Sequence, residues 1–330
     1  MKKIISILVL LSLCILSFAG CGSSQDDKTA IRVGYMAGPT GMGMAKLIHD
    51  NGGAATGNEK YTFEKFTDTK QATAALTSGK IDVICLPTNE AATYYNTTDD
   101  NTVVLAINTL NTLFLLTDAS TTITSFSELE GKTVYTCKNG TPKMILEYLL
   151  KAANINATVS TSVNGTEIVT PAQLGEQVVA GNIPIAVVPE PIVTSSLLSI
   201  AKNANANISY SVDINLNTVW SQYCQTELTM GCVVASKSFV NEHKTVIDNF
   251  LVEYKNSIDF ISNSENIDTA ADYVVETGVM GAVPAAKKAL ANLSGSIVYI
   301  DGADMKEALV AFYKAIGISA PKSNAFYYEK

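Results

Sequence analysis

The sequence predicts an α/β protein built as two similar lobes with a cleft between them. Three observations predict it: an internal repeat, helix start and stop signals alternating with buried-strand runs, and two apolar segments where the chain would pass between lobes. Around Gly79 the chain reads Gly-Lys-Ile-Asp-Val-Ile-Cys-Leu-Pro, ending at Pro87, and around Gly181 it reads Gly-Asn-Ile-Pro-Ile-Ala-Val-Val-Pro, ending at Pro189. The two glycines stand 102 residues apart, and upstream Ile31–Thr40 is matched by Lys132–Thr141 at an offset of 101 residues. A nearly constant offset between units with the same order of elements marks duplicated lobes; chance likeness of two α/β segments is the alternative.

The elements follow in order. Lys2 and Lys3 precede an apolar run, Ile4 to Leu16, and the small residues Ser17 to Cys21. A basic start, a short apolar stretch and a small-residue exit describe a secretory signal, too short for a comfortable membrane span. Residues 1–20 are read as this signal and residues 21–29 as a polar tether. Thr40 opens a helix carrying Met44, Leu47 and Ile48. Thr141-Pro142 is an N-cap followed by an early proline, and Ile145, Leu149 and Ala152 continue one face. Thr170 to Gln173 has capping-box spacing, with Leu174 and Val178 on one face and Gly181 as the stop. Strands alternating with helices argue for parallel sheets.

Leu110–Leu116 and Leu228–Ala235 are apolar runs that follow the first and second units. Beyond them come helical patterns at Val246–Phe260, Thr269–Val279, Pro284–Leu293 and Asp304–Ile316. The first unit alone lacks cover for its sheet, so this block returns to it. Lobe I is then residues 30–115 plus 230–330, and lobe II residues 116–229. The chain crosses near Phe114 and again near Thr229, and two crossing segments make a hinge.

Composition narrows the function. Of 330 residues, 47% are hydrophobic and 16% charged, which excludes a disordered chain. Basic residues number 23 and acidic residues 31, a net charge of −8 that argues against nucleic acid as a partner. Removing residues 1–20 takes two lysines and no acid, leaving −10. Arg32 is the only arginine, and His49 and His243 the only histidines, too few for a His-rich metal site. Cys85, Cys137, Cys224 and Cys232 show no CxxC spacing, so zinc is not expected, nor any cofactor. Cys85 and Cys137 read as buried thiols. Cys224 and Cys232 are the closest pair, and an extracytoplasmic setting permits a disulfide between them.

Ligand sites favour lobe interfaces and the carboxyl ends of parallel strands. Three segments are candidates. Gly38-Pro39-Thr40-Gly41-Met42-Gly43 joins the first strand to its helix, and Lys138-Asn139-Gly140-Thr141 is its counterpart in the repeat. Their glycines admit close backbone approach, and a helix N-terminus offers free N–H groups to an anion or polar atom. Each also reads as a plain capped turn. The third is Leu86-Pro87-Thr88-Asn89, with Pro189-Glu190-Pro191 as counterpart. Thr88 and Asn89 either bond a ligand or cap the next helix. Glu190 either favours a cationic or N–H-bearing ligand or is a solvated rim acid. Asn111 and Thr112 at the first crossing are weaker candidates, and Trp220 either stacks on a planar ligand or fills core. Catalytic motifs fail: Met44 and Ala45 occupy the Lys and Ser/Thr places of a phosphate loop, Lys46 replaces the third dinucleotide glycine, and no G-x-S-x-G is present.

Ala19-Gly20-Cys21 resembles a lipobox, with Phe18 in place of the usual leucine, which implies diacylation of Cys21. The chain as a whole resembles the substrate-binding lipoproteins of ABC importers, and among them the nitrate/sulfonate/taurine and thiamine-precursor group. The likeness is carried by Ile31–Gly34, Ser78–Val83, Ser127–Val134, Asn139–Pro142 and Val234–Val240. It implies a type II periplasmic-binding-protein fold, a small molecule held between the lobes, a lipid anchor in the cell membrane, and permease and ATPase subunits as partners. A monomer without enzymatic activity is expected. A sensory lipoprotein of the same fold is the rival, and an enzyme on this fold a remoter one, since the cysteine-rich motif of the thiamine-pyrimidine enzymes has no counterpart here. Glu190 and Trp220 lean the ligand toward a planar, nitrogen-bearing compound.

Overall fold

The computed structural model describes residues 29–53, 60–98, 101–203, 207–224 and 226–329. The signal 1–20, the lipidation candidate Cys21 and the tether up to residue 28 lie outside the described residues.

Strands β1 (Ile31–Met36), β2 (Tyr61–Phe66), β3 (Val83–Pro87) and β4 (Thr102–Leu110) belong to one sheet, joined late in the chain by β12 (Thr229–Ser236) and β13 (Ile297–Ile300). A second sheet holds β5 (Leu113–Asp118), β6 (Thr133–Tyr135), β7 (Thr158–Ser160), β10 (Ile185–Pro189) and β11 (Tyr210–Asn215). Strands β8 (Ser162–Val163) and β9 (Thr166–Glu167) form a small hairpin beside it. The orders are β13-β4-β12-β3-β1-β2 and β11-β5-β10-β6-β7.

The repeat is visible in the pairing. β1 runs parallel to β2 and β3, as β6 does to β7 and β10. β3 is then antiparallel to β12, and β10 antiparallel to β5. Strand β12 arrives from the second sheet and β5 from the first, each running against the parallel set it joins, and β13 is likewise antiparallel to β4. The sheets are therefore mixed, where the alternation of helix and strand predicted parallel ones. The outgoing passage is only Asn111 and Thr112, and the return runs from Asn215 to Thr229 through the helix Leu216–Tyr223.

Every residue of β4 is buried because helices cover both faces of the first sheet. On one face the helix Lys244–Ser262 packs Phe250, Tyr254 and Ile258 against Val83, Leu105 and Val233. The opposite core is shared with the second sheet and includes Leu113, Val187, Trp220 and Phe312. A helix from Thr40 to Ile48 is expected but comes in two pieces, Pro39–Met42 and Ala45–Asp50. Gly43 breaks it: its carbonyl accepts from Ser257 Oγ at 2.7 Å, and an added Cβ would lie 2.8 Å from Ile258. Arg32 is spent on the fold, its Nε and Nη2 donating to the two oxygens of buried Asp82 at 2.9 and 2.5 Å, which ties β1 to the start of β3. Cys85, Cys137, Cys224 and Cys232 are all buried free thiols. Among the described residues no helix is long and apolar enough to cross a membrane.

Candidate functional site

A cavity of about 190 Å3 opens at the carboxyl ends of the parallel strands of both sheets. From the first sheet it is lined by residues following β1 (Gly38, Thr40), β2 (Thr67, Asp68, Thr69) and at the end of β3 (Pro87). From the second come Asn139, Gly140 and Thr141 after β6, Val169 to Pro171 ahead of the helix Pro171–Val179, and Pro189. Thr112 and Met230, at the two passages between sheets, close the wall.

Local sequence explains the geometry. Gly38 has φ 148° and ψ −170°, and Gly140 has φ 90° and ψ −173°, a region that essentially only glycine occupies. Each turns the chain sharply from a strand end into a helix with proline in its first turn, and an added Cβ at Gly38 would meet nothing within 4 Å. The glycines thus set the turn and leave the space beside it open. Three helix N-termini of ordinary length face the cavity. Asp68 caps the helix Thr69–Thr77, its Oδ1 accepting from the Lys70 and Gln71 N–H groups at 3.0 Å. Thr170 and Gln173 form the expected capping box. The helix Thr141–Ala152 starts at Gly140 with no side-chain cap. Across the cavity margin Thr141 Oγ1 donates to Asn89 Oδ1 at 2.8 Å, joining the two sheets' loops by a buried hydrogen bond.

Among the described residues no lysine, arginine or histidine lines the cavity, and Asp68 is the one acidic side chain in its lining. Lys138 is turned away to Glu167 at 2.6 Å. The thiol of Cys137, beside the Asn139-Gly140 turn, donates to the Asn139 carbonyl at 3.1 Å, and burial pushes its pKa up to about 11. It is not a thiolate near neutral pH. Among the described residues no group of three His, Cys, Asp or Glu side chains is placed to hold a metal ion.

A family profile described as NMT1/THI5-like matches residues 60–266, well over half of the chain. The chain belongs to the NMT1/THI5-like family. No curated protein matches it. Among solved structures, an ABC transporter protein from Parabacteroides distasonis is 19% identical, with TM-score 0.69 over 92% of this chain and 99% of that one. The ligand-binding component of an ABC-type import system from Staphylococcus aureus, solved with zinc, is 14% identical, with TM-score 0.67 over 91% and 96%. The periplasmic aliphatic sulphonate-binding protein of Escherichia coli is 16% identical, with TM-score 0.65 over 91% and 92%. This NMT1/THI5-like protein shares their two-sheet periplasmic-binding-protein fold.

Of the residues singled out in the sequence, Gly38, Thr40, Asn139, Gly140, Thr141 and Thr112 line the cavity of this NMT1/THI5-like chain. Gly41 and Met42 lie beneath it. An added Cβ on Gly41 would collide with the Met36 carbonyl oxygen, and Met42 is packed in the core. Thr88 and Asn89 are buried at the margin, where the Thr88 carbonyl accepts from Tyr313 and Asn89 from Thr141. Asn111 adopts φ 53° at the first passage, with its N–H on the Leu228 carbonyl and its amide on Glu227, so it fastens the two passages together. Glu190 is 1% exposed and accepts from Thr194 N–H, Thr194 Oγ1 and Asn292 Nδ2 at 3.1, 2.9 and 2.7 Å. Its lone pairs serve the fold rather than the cavity. Trp220 is fully buried between Tyr148 and Phe312, and its indole N–H donates to the Thr226 carbonyl. The leaning toward a planar ligand loses both of its supports. Sequence reading missed the Thr67-Asp68-Thr69 turn, whose signal was an Asp N-cap immediately after a strand.

Proposed function

We propose that this NMT1/THI5-like chain is an extracytoplasmic solute-binding lipoprotein, anchored through Cys21, that captures a small molecule and delivers it to the permease and ATPase subunits of an ABC importer. The lobe bounds expected at residues 115 and 230 move to the passages themselves, since Leu113–Leu115 pair with β10 and Thr229 with β4: lobe I is residues 30–110 with 229–330, lobe II residues 113–228, and the passages at Asn111-Thr112 and before Thr229 act as the hinge. The observation that carries this reading is the cavity, which draws its lining from the strand ends of both sheets. A solute touching both walls stabilises the closed arrangement over the open one, whereas a solute touching one wall alone leaves that balance unchanged. The protein works as a monomer, by binding and release without a covalent step.

The test is thermal unfolding of the full chain in mild detergent against sulfonates, inorganic anions, pyrimidines, other heterocycles and amino acids, together with mass spectrometry of any co-purified solute. A solute at about a hundred times its Kd adds about 2.7 kcal/mol, a shift of several degrees. Loss of uptake of that same solute on deletion of the gene assigns transport; intact uptake with a lost cellular response assigns sensing. No stabilising compound and no co-purified solute overturns the reading.

A further inference from the structure

The two walls of the cavity differ in polarity, and this bears on which solutes it takes, given that it is a solute site. On the first sheet's side stands Asp68. Its Oδ1 accepts both helix N–H groups, so the cap is complete, while Oδ2 has no bond among the described residues. Glu90, on the neighbouring helix Thr88–Thr97, lies within electrostatic reach of Asp68: burial raises its carboxyl, Asn89 and Lys70 oppose that, and the charge of Asp68 adds to it least of the four. On the second sheet's side the helix at Gly140 has no side-chain cap, and its first turn offers the backbone N–H groups of Thr141 and Lys143, with Pro142 supplying none. The other two helix starts are already capped, by Asp68 and Thr170. The remaining lining sets apolar surface from Met36, Met230, Val169 and the prolines beside the neutral polar groups of Asn139 and of threonines such as Thr40, Thr67 and Thr112.

We infer that the cavity selects a small dipolar solute, with a cationic or N–H donor group on Asp68 Oδ2 and an acceptor group, such as a carboxylate, a sulfonate or a ring nitrogen, on the Gly140–Thr141 turn. The apolar lining suits a short hydrocarbon or ring body between the two ends. An oxyanion without a donor group leaves Asp68 facing a like charge in a partly dehydrated space, with no lysine or arginine among the described lining residues to offset it, while the threonine hydroxyls and Asn139 can bond either kind of solute and so do not discriminate. A solute with both ends is held by both sheets at once, so the groups that select it are also those that favour closure. Asp68 is the specificity-determining residue.

The test is calorimetric titration of the full chain in mild detergent with pairs of matched probes: β-alanine against propionate, 3-aminopropanesulfonate against propanesulfonate, and 2-aminopyridine against pyridine-2-carboxylate. Asp68→Asn and Asp68→Ser each keep a strong helix cap while removing the charge, so one serves if the other fails to fold. At least one donor-bearing probe is expected to bind ten-fold or more tighter than its partner, with both variants erasing that preference at an unfolding temperature close to that of the parent. Equal binding of an anion-only partner, or a preference that survives both substitutions, overturns the inference and leaves the solute-binding reading standing. Absence of binding by every probe also overturns it, and the solute-binding reading is then decided separately by the co-purified solute.

Discussion

Burial of Glu190 strips its carboxylate of water, and three donors replace that water only in part. Burial is the larger effect and raises its pKa above the ordinary carboxylate range, against the bonds from Asn292 and Thr194 and the attraction of Lys288. A carboxyl raised in the folded state holds its proton more tightly there. The stability this gives is fully present below the unfolded value of about 4.3 and is lost as the pH rises through the folded value. Glutamine at this place cannot ionise. It also cannot accept from both Thr194 N–H and Asn292, because one end of its amide is a donor, so Glu190→Gln loses about 1 kcal/mol of hydrogen bonding at every pH. Its pH dependence is therefore the readout. The unfolding temperature of the variant, measured against the parent, should rise steadily from pH 4 toward neutral; a difference that stays flat places the ionised Glu190 in an environment as favourable as water. At the same scale, Gly41→Ala forces a Cβ against the Met36 carbonyl. It should destabilise by about 1–3 kcal/mol in chemical unfolding, which separates a packing glycine from the ligand contact that the sequence allowed.

Elements were more legible than side-chain destinations. The capping box at Thr170-Gln173, the early proline after Thr141 and the paired strands ending at Pro87 and Pro189 were all readable, because each rests on local backbone rules that tertiary contacts do not alter. Gly38 and Gly140, which line the cavity, were readable as close-approach positions for the same reason: a strand-to-helix turn needing a glycine-only conformation leaves the space beside it open. Glu190 and Trp220 were not, because their fate depends on Asn292, Tyr148 and Phe312, residues 72 to 102 positions away in the chain. Antiparallel insertion of β5 and β12 was equally hidden, since it follows from the chain changing sheets and not from any local pattern. The helix starting at Thr170 gives a test at this scale. Thr170→Ala removes the bond to the Gln173 N–H and should cost about 1 kcal/mol in chemical unfolding. Because that cap also shapes the cavity wall, Thr170→Ala should weaken solute binding and Thr170→Ser should restore both stability and affinity, whereas an affinity unchanged in Thr170→Ala would show that Thr170 does not shape the binding surface.

Taken as a whole, the molecule holds its only tryptophan where its two halves share a core. Trp220 lies on the return passage, 5.2 Å between ring centres from Tyr148 and 5.8 Å from Phe312. Tyr148 belongs to the helix that starts at Thr141 on the cavity, and Phe312 to the helix Gly302–Ile316 that follows β13 of the first sheet. Rotation of one sheet's helices against the other changes the surroundings of the indole, although the indole never reaches the solute. The thiol of Cys224, donating to the Tyr148 hydroxyl at 3.1 Å, lies in the same cluster. Tryptophan fluorescence should therefore follow solute binding and saturate at the calorimetric Kd. Asn89→Ala removes the acceptor of the Thr141 hydroxyl, the buried hydrogen bond that ties the loops across the cavity margin. By weakening the closed state by about 1 kcal/mol, it should raise the apparent Kd roughly five-fold, since apparent affinity scales with the closed fraction. The same variant should begin from a different emission and end, once saturated, at that of the parent. Calorimetric binding with no change in emission would mean that the solute is held without relative movement of the halves, and the passages at Asn111-Thr112 and before Thr229 would then be rigid connections and not a hinge.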